Sequence, residues 1–552
     1  MSTNMNVSYD TKVLLRLEQI RDRNTKNTKY VNKDLYRLLY KKEIYIVAYN
    51  KLKDNQGAMT PAVDTETLDG FSLKRIENII KSLKNESFQP KLCRLKQLKK
   101  PNGKIRPLGI QGPEEKVVQE IIRMILEAIF EGSFSNNSHG FRVNRGCHTA
   151  LNQVRQNFDG VSYIIEGDIK DCFNSIDHNR LIQILRERIS DERFIRLIYK
   201  FLKAGYLCEL SNELHFPKVG TPQGSIVSPI LCNIFLDKLD YYVESLIRKH
   251  SVTKAGTTNN PKASPLNTKK KKLTKLLNKV EESEEKRKLI KELRALNLKA
   301  LKVPKRFKKT VHLYYVRYAD DWILGINGPK TLAKQLKLEI SEFLSKNLKL
   351  TLSEEKTKIT EIRKETVLFL GYDIKLQRRN KVKKIMHPKS KKHFLKGTTG
   401  HQIKLLVPKE RIIYRLAEKG FCTPEGFPLS YKKLTSYDDY TIVLRFNTVR
   451  SGIINYYCLC DNSSYLYRVD YILRYSLAKT LAHKHKTSCH AIFCKHGRRL
   501  TVKKVNLNGK ELKTQMPLFK TFKPQIKEIK PKDLFTVYNK KLTNVMLLER
   551  YL

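Results

Sequence analysis

Tyr318-Ala319-Asp320-Asp321 sets two adjacent carboxylates between the apolar runs Tyr314-Tyr315-Val316 and Trp322-Ile323-Leu324. The alternation predicts a β-hairpin that holds the acids at its tight turn. Neighbouring carboxylates repel, and beside an apolar face they stay ionised only when a cation compensates them; their hard oxygens select Mg²⁺, with Mn²⁺ as its substitute. Asp-Asp also occurs in many solvated turns, so the pair gains weight only from a third acid. Asp168 closes the stretch that opens with Val161-Ser162-Tyr163-Ile164-Ile165, and Ile169-Lys170-Asp171-Cys172-Phe173 follows it. Phosphoryl transfer by two metal ions needs carboxylates from separate elements converging on ions about 3.5–4 Å apart. Asp168, Asp320 and Asp321 supply the right number on the right kind of element; the competing reading has Asp168 merely capping a turn.

Further blocks run along the chain in a fixed order. They are residues 72–90, the basic hairpin sequence Lys99-Lys100-Pro101-Asn102-Gly103-Lys104-Ile105-Arg106-Pro107, Ser138-His139-Gly140-Phe141-Arg142, and Gly220-Thr221-Pro222-Gln223-Gly224. Leu352-Ser353-Glu354-Glu355-Lys356-Thr357 and Phe369-Leu370-Gly371-Tyr372 complete the series after the YADD turn. In this order the blocks resemble those of the reverse transcriptases encoded by group II introns. The resemblance implies an α+β fold: a right-hand polymerase, with fingers and a palm built on an antiparallel sheet and the YADD hairpin, followed by an α-helical thumb or maturase domain. It implies that Asp168 and Asp320 bridge two Mg²⁺ ions while Asp321 supports them. It makes Lys104 and Arg106 the grip on the nucleotide triphosphate, arginine through paired donors and lysine as a point charge. Phe173 matches the aromatic that excludes a 2′-hydroxyl, against the competing reading of a core phenylalanine. Gln223 would contact nucleotide or template.

The elements that must position these residues are partly readable. A helix is signalled from Pro113, with Glu114 and Glu115 in its first turn and Val117, Val118, Ile121, Ile122, Ile125, Leu126 and Ile129 at helical spacing. Residues 178–204 and 230–248 also read as helices. The expected organisation is an N-terminal extension (1–65), reverse transcriptase fingers and palm (66–380), a maturase domain (381–500) and a basic tail (501–552). Within the second part, residues 251–310 read as a basic insertion: a flexible, solvated first half, then a charged helix over 281–298. In the maturase-like region, Ile472, Leu473, Leu477 and Leu481 predict an apolar helix face, leaving Arg474, Lys479, Lys484 and Lys486 on a basic face for RNA phosphates. Tyr456 and Tyr457 fit either base stacking or a core. The compact set Cys489, His490, Cys494 and His496 matches no familiar zinc spacing. Residues 500–552 contain neither cysteine nor histidine, so no endonuclease of the His-Asn-His type, and no second-strand nicking, is expected.

Lys and Arg number 108 against 54 Asp and Glu, a net charge of +54. Self-repulsion on that scale calls for a polyanionic partner; AT-rich coding accounts for part of the lysine excess but not for arginines inside the matching blocks. The implied partners are intron RNA, an RNA template with a DNA primer, dNTPs and a DNA target. No apolar run reaches the ~18–20 residues of a membrane span. The ten cysteines are scattered, as reduced thiols are. The expected function is RNA-directed DNA synthesis combined with assistance to intron splicing; the alternative is a splicing-only maturase with an idle polymerase. The wording of the maturase region resembles mitochondrial examples, which implies a mitochondrial location with plastid and bacterial homes open, and oligomeric state is not encoded legibly.

Overall fold

Two hydrophobic cores meet across one four-stranded antiparallel sheet. The computed structural model describes residues 11–525 apart from 56, 100–102, 104, 209–212, 222–223, 252–256, 281–283, 304–305, 309, 387–392 and 506–510. The sheet runs in the order Lys358–Glu361, Tyr163–Asp168, Asp321–Asn327, His312–Tyr318. Because side chains alternate along a strand, Ile165, Tyr315, Trp322, Leu324 and Ile326 enter one core, while Ile164, Val316 and Ile323 enter the other. A sheet buried on both faces is held from both sides; each fully buried aliphatic side chain contributes roughly 1.5–3 kcal/mol.

The first core is helical. Pro113–Phe130 starts at its proline, carries Glu114 and Glu115 in the first turn, and buries the whole predicted stripe. The predicted span 178–204 forms two helices, His178–Arg186 and Glu192–Lys203. The break is local chemistry: the Asp191 side chain accepts from Phe194 N (3.2 Å) and starts the second helix, as Asp177 starts the first. The long helix Ser228–His250 completes this side. Thr11–Lys26 and Lys42–Lys53 pack into the same core through Leu17, Ile20, Ile44 and Tyr45, so the segment set apart as an extension is integral to it.

A second sheet is built on the hairpin Cys93–Lys99/Ile105–Ile110, with Leu98 opposite Arg106. The insertion differs from its reading. Ser264–Leu277 and Glu284–Leu301 form a helical hairpin, stapled by Leu273, Leu296 and a Lys269–Glu292 ion pair of 3.1 Å. Its lysine run stays in solvent on Ser264–Leu277, a helix that carries Pro265 in its first turn and buries Leu273.

Beyond the four-stranded sheet, the antiparallel strands Tyr372–Met386 and His393–Leu406 lead into the helices Lys409–Glu418, Asp439–Tyr456, Leu466–Lys484 and Cys489–His496. These helices share the second core with the helix Cys147–Asn157 and the back of the four-stranded sheet. Polar ties seal the junction: Arg155 to Asp461 (2.7 Å), Lys404 to Asp461 (3.1 Å), and the Asp159 carboxylate accepting from Ile403 N (2.8 Å). No helix among the described residues is long and apolar enough to cross a membrane.

Candidate active site

Strand register brings the acids together. Tyr163–Asp168 pairs antiparallel with Asp321–Asn327 so that Asp168 lies directly opposite Asp321 and Gly167 opposite Trp322; Tyr318 faces Asp321 on the other side. Ala319, at φ +55°, turns the chain between them and presents Asp320 beside the pair. The indole of Trp322 crosses over Gly167: a Cβ there would lie 2.1 Å from the ring. Only glycine lets the two strands close with the ring beneath the acids.

Crowding shows in the electrostatics. Burial, the charges of Asp320 and Asp168, and a hydrogen bond with Asp168 push the Asp321 carboxyl up to about 7. Asp321 nevertheless keeps a face to solvent, as a site that admits a cation must. Lys356, from the sequence Leu352–Thr357, reaches in: its Nζ lies 2.8 Å from Asp168 Oδ2, and the carboxylates hold its ammonium above the usual lysine range, first through that hydrogen bond. Among the described residues no three such groups are closed into a coordination shell; the carboxylates stand adjacent, with an ammonium drawn onto one of them. A crowded set of carboxylate oxygens that already attracts one cation fits a divalent metal ion in its donor chemistry.

Residues that sequence reasoning missed hold the turn from behind. Arg317 is fully buried in the strand before the turn. Its guanidinium donates to both carboxylate oxygens of Asp240 (2.5 and 2.7 Å), to Asn233 Oδ1 (3.2 Å) and to the carbonyl of Ala319 (2.9 Å). Tyr315 adds a third bond to Asp240, at 2.9 Å. The last of the arginine's bonds fixes the carbonyl next to Asp320, so the clamp orients the acids without touching them. The available signal was a charged residue at a core-facing position of an apolar strand, which demands a buried counter-charge.

The expected nucleotide residues are placed unevenly. Lys104 and Gln223 lie outside the described residues. The backbone of Arg106 lies in the strand Ile105–Ile110 opposite Leu98. The loop that carries Gln223 leans on this strand, since Gly224 (φ +105°) sits where a Cβ would be 2.5 Å from the carbonyl of Gly109. Phe173 is half-buried against the first core, and its carbonyl accepts from Thr221 N at 2.6 Å. The turn after Asp168 is thereby stitched to the same loop.

In the C-terminal helices one expectation is overturned. Arg474 is not on a basic face: it is buried, paired with Asp470 (3.0 Å), and donates to the carbonyls of Arg498, Met516 and Pro517. Residues Arg498, Met516 and Pro517 cover the face that helical spacing assigned to solvent, and an arginine so engaged offers nothing to a phosphate. Lys479 is exposed, with Nζ on the Pro428 carbonyl; Lys484 bonds to the Tyr437 carbonyl and Asp439; Lys486 is exposed beyond the helix end. Tyr457 is buried, and both Tyr456 and Tyr457 donate to backbone carbonyls, of Leu370 and Gly371, which makes them part of the second core. His490 and Cys494 touch at 3.4 Å, while His496 turns to the Thr501 carbonyl.

Comparison with known proteins identifies the family. Residues 98–252 and 294–374 match the family model for reverse transcriptase (RNA-dependent DNA polymerase), and residues 400–545 match that for type II intron maturase. The chain is 38% identical over 476 residues to the group II intron-encoded protein LtrA of Lactococcus lactis, covering 85% of this chain and 78% of LtrA. The chain belongs to the group II intron-encoded reverse transcriptase–maturases. Within that family it is 36% identical to a COX1/OXI3 intron 1 protein of Saccharomyces cerevisiae (88% of this chain, 57% of that one). It is 38% identical to a protein in the cob intron of Schizosaccharomyces pombe (85% and 56%). It thus spans little more than half the length of these two fungal relatives. The reverse transcriptase–maturase unites RNA-directed DNA polymerase and splicing-maturase functions in one chain, and reverse transcriptases work with divalent metal ions.

Proposed function

We propose that Asp168, Asp320 and Asp321 form the catalytic centre for adding deoxynucleotides to a primer on an RNA template. The observation that carries this reading is the register pairing of Asp168 with Asp321, one peptide from Asp320. Asp168 and Asp320 would hold two Mg²⁺ ions and Asp321 would support them. Bound there, such ions lower the pKa of the attacking primer 3′-hydroxyl and neutralise charge on the departing pyrophosphate. The chain's own contributions are positional. The Arg317–Asp240 clamp keeps the acid turn rigid, and Arg106 with Lys104 grips the triphosphate of the incoming dNTP. Phe173 closes the space beside the sugar's 2′ carbon, and Gln223 contacts the nucleotide or template strand. In this reading the Cys93–Lys99 hairpin belongs to the fingers, the four-stranded sheet is the palm, and the helices after 408 are the thumb.

The same thumb surface, with Lys479, Lys484 and Lys486 among its cations, would hold the intron RNA, its catalytic fold favoured by binding and counter-charge while the splicing chemistry remains with the RNA. Fungal intron relatives, and 30% identity to a mitochondrial protein of Marchantia polymorpha, support a mitochondrial home. A DNA target would serve intron insertion.

The test assays primer extension and protein-assisted splicing separately, for wild type and Asp320→Asn. The variant is expected to lose extension and keep splicing. Extension by Asp320→Asn at the wild-type rate would falsify the assignment, and a wild type that splices without ever extending a primer would reduce the protein to a maturase.

A further inference from the structure

Phe141 is a large apolar ring in an unfavourable place. It is 54% exposed, and its backbone lies at φ +56°, in the left-handed region that bulky L residues seldom adopt. Both flanks pin it there. At Gly140 a Cβ would lie 2.4 Å from Ala319 N and 3.1 Å from Ala319 Cα, so this loop abuts the acid turn directly. Asn233 Nδ2 donates to the Gly140 carbonyl at 2.8 Å, and the buried Arg142 donates to the carbonyls of Ser135 (2.6 Å) and Ser138 (2.9 Å). So anchored, the Phe141 ring stands against Phe173, with centroids 6.2 Å apart and planes at 83°. A strained, exposed aromatic held by its neighbours beside a reactive centre is the pattern expected when the ring itself has a task.

We propose that Phe141 is a positioning residue for sugar discrimination: its ring braces Phe173 so that the latter cannot swing away from a 2′-hydroxyl. The inference rests on the reading of Phe173 as the gate. A half-buried phenylalanine can yield by rotating about its first side-chain torsion, and selectivity against a ribonucleotide is then limited by how easily it yields. Phe141 blocks that route from the side of the acid turn. The contact joins the acid turn to the gate through a single loop.

The experiment measures kcat/KM for single-nucleotide extension with dCTP and with CTP, on an RNA template with a DNA primer, using the full chain. The proteins compared are wild type, Phe141→Ala, Phe141→Tyr, Phe173→Ala and the Phe141→Ala/Phe173→Ala double variant. Melting temperature, read from tryptophan emission, selects folded proteins. An edge-to-face aromatic pair corresponds to roughly a three- to tenfold factor. Phe141→Ala is therefore expected to lower the deoxy-to-ribo ratio by about that much. Phe141→Tyr should restore the ratio, and the double variant should be no less selective than Phe173→Ala alone. A lowered ratio in Phe173→Ala with a wild-type ratio in Phe141→Ala overturns the brace and leaves the gate standing. A uniform rise in KM for both nucleotides, with the ratio unchanged, overturns it as well. An unchanged ratio in Phe173→Ala overturns the gate reading, and the brace falls with it.

Discussion

Asp321 ties the chemistry of the site to its stability. Its carboxyl is raised from the usual 3.8 to about 7 by burial and by its acidic neighbours, so between these two values the folded chain holds a proton that the unfolded chain has already released. Stability must then fall as pH rises through that window, because ionisation is resisted only in the folded state. In a chelating buffer, Asp321→Asn is expected to melt higher than wild type at pH 8 and to match it near pH 4. Parallel melting profiles for the two proteins across that range would show that the crowding is absent. A divalent ion relieves the same repulsion, so wild-type stabilisation by Mn²⁺ should be larger at pH 8 than at pH 5 and reduced in the variant, a comparison that thermal denaturation makes directly.

At the scale of elements, the strand His312–Tyr318 acts as a lever held at its buried end. Removing one partner of the Arg317–Asp240 pair leaves a buried charge alone, so Arg317→Met is expected to destabilise the protein by about 3–5 kcal/mol in urea unfolding. Arg317→Met combined with Asp240→Leu should recover part of that loss; full additivity of the two single effects would show that the residues are not coupled. Gly167→Ala forces the Trp322 ring off the neighbouring strand, with an expected loss of about 1–3 kcal/mol and slower primer extension. These elements also mark what was legible in the sequence. Asp320 and Asp321 were readable because a tight turn is local chemistry, and the helix from Pro113 because its proline, acids and apolar stripe coincide. Arg317 was not, because its partner lies 77 residues away. Arg474 was misread because helical spacing says which residues share a face, not which faces a later segment covers. The helix Ser264–Leu277 was hidden because a lysine run masks the single leucine that it buries.

Across the whole molecule, the second core is shared by residues of the polymerase and maturase regions. Ile164, Val316 and Ile323, on the back of the four-stranded sheet, are buried with residues of the C-terminal helices. A fragment ending at residue 374 would expose them to water and is expected to aggregate, whereas in the full chain the sheet that carries Trp322 should lose its structure together with the C-terminal helices, by tryptophan emission and far-ultraviolet circular dichroism. Separate transitions by the two probes would contradict the shared core. The charge of +54 has its own signature: RNA affinity should fall by about 10³-fold or more between 50 and 200 mM salt if ~6–10 phosphates are neutralised. The indole over Gly167 has a practical corollary. It is the chain's sole tryptophan, so light emitted on selective indole excitation originates one residue from Asp321. Loading of the centre with a quenching ion such as Mn²⁺ can therefore be titrated optically on the native protein, without dye or isotope.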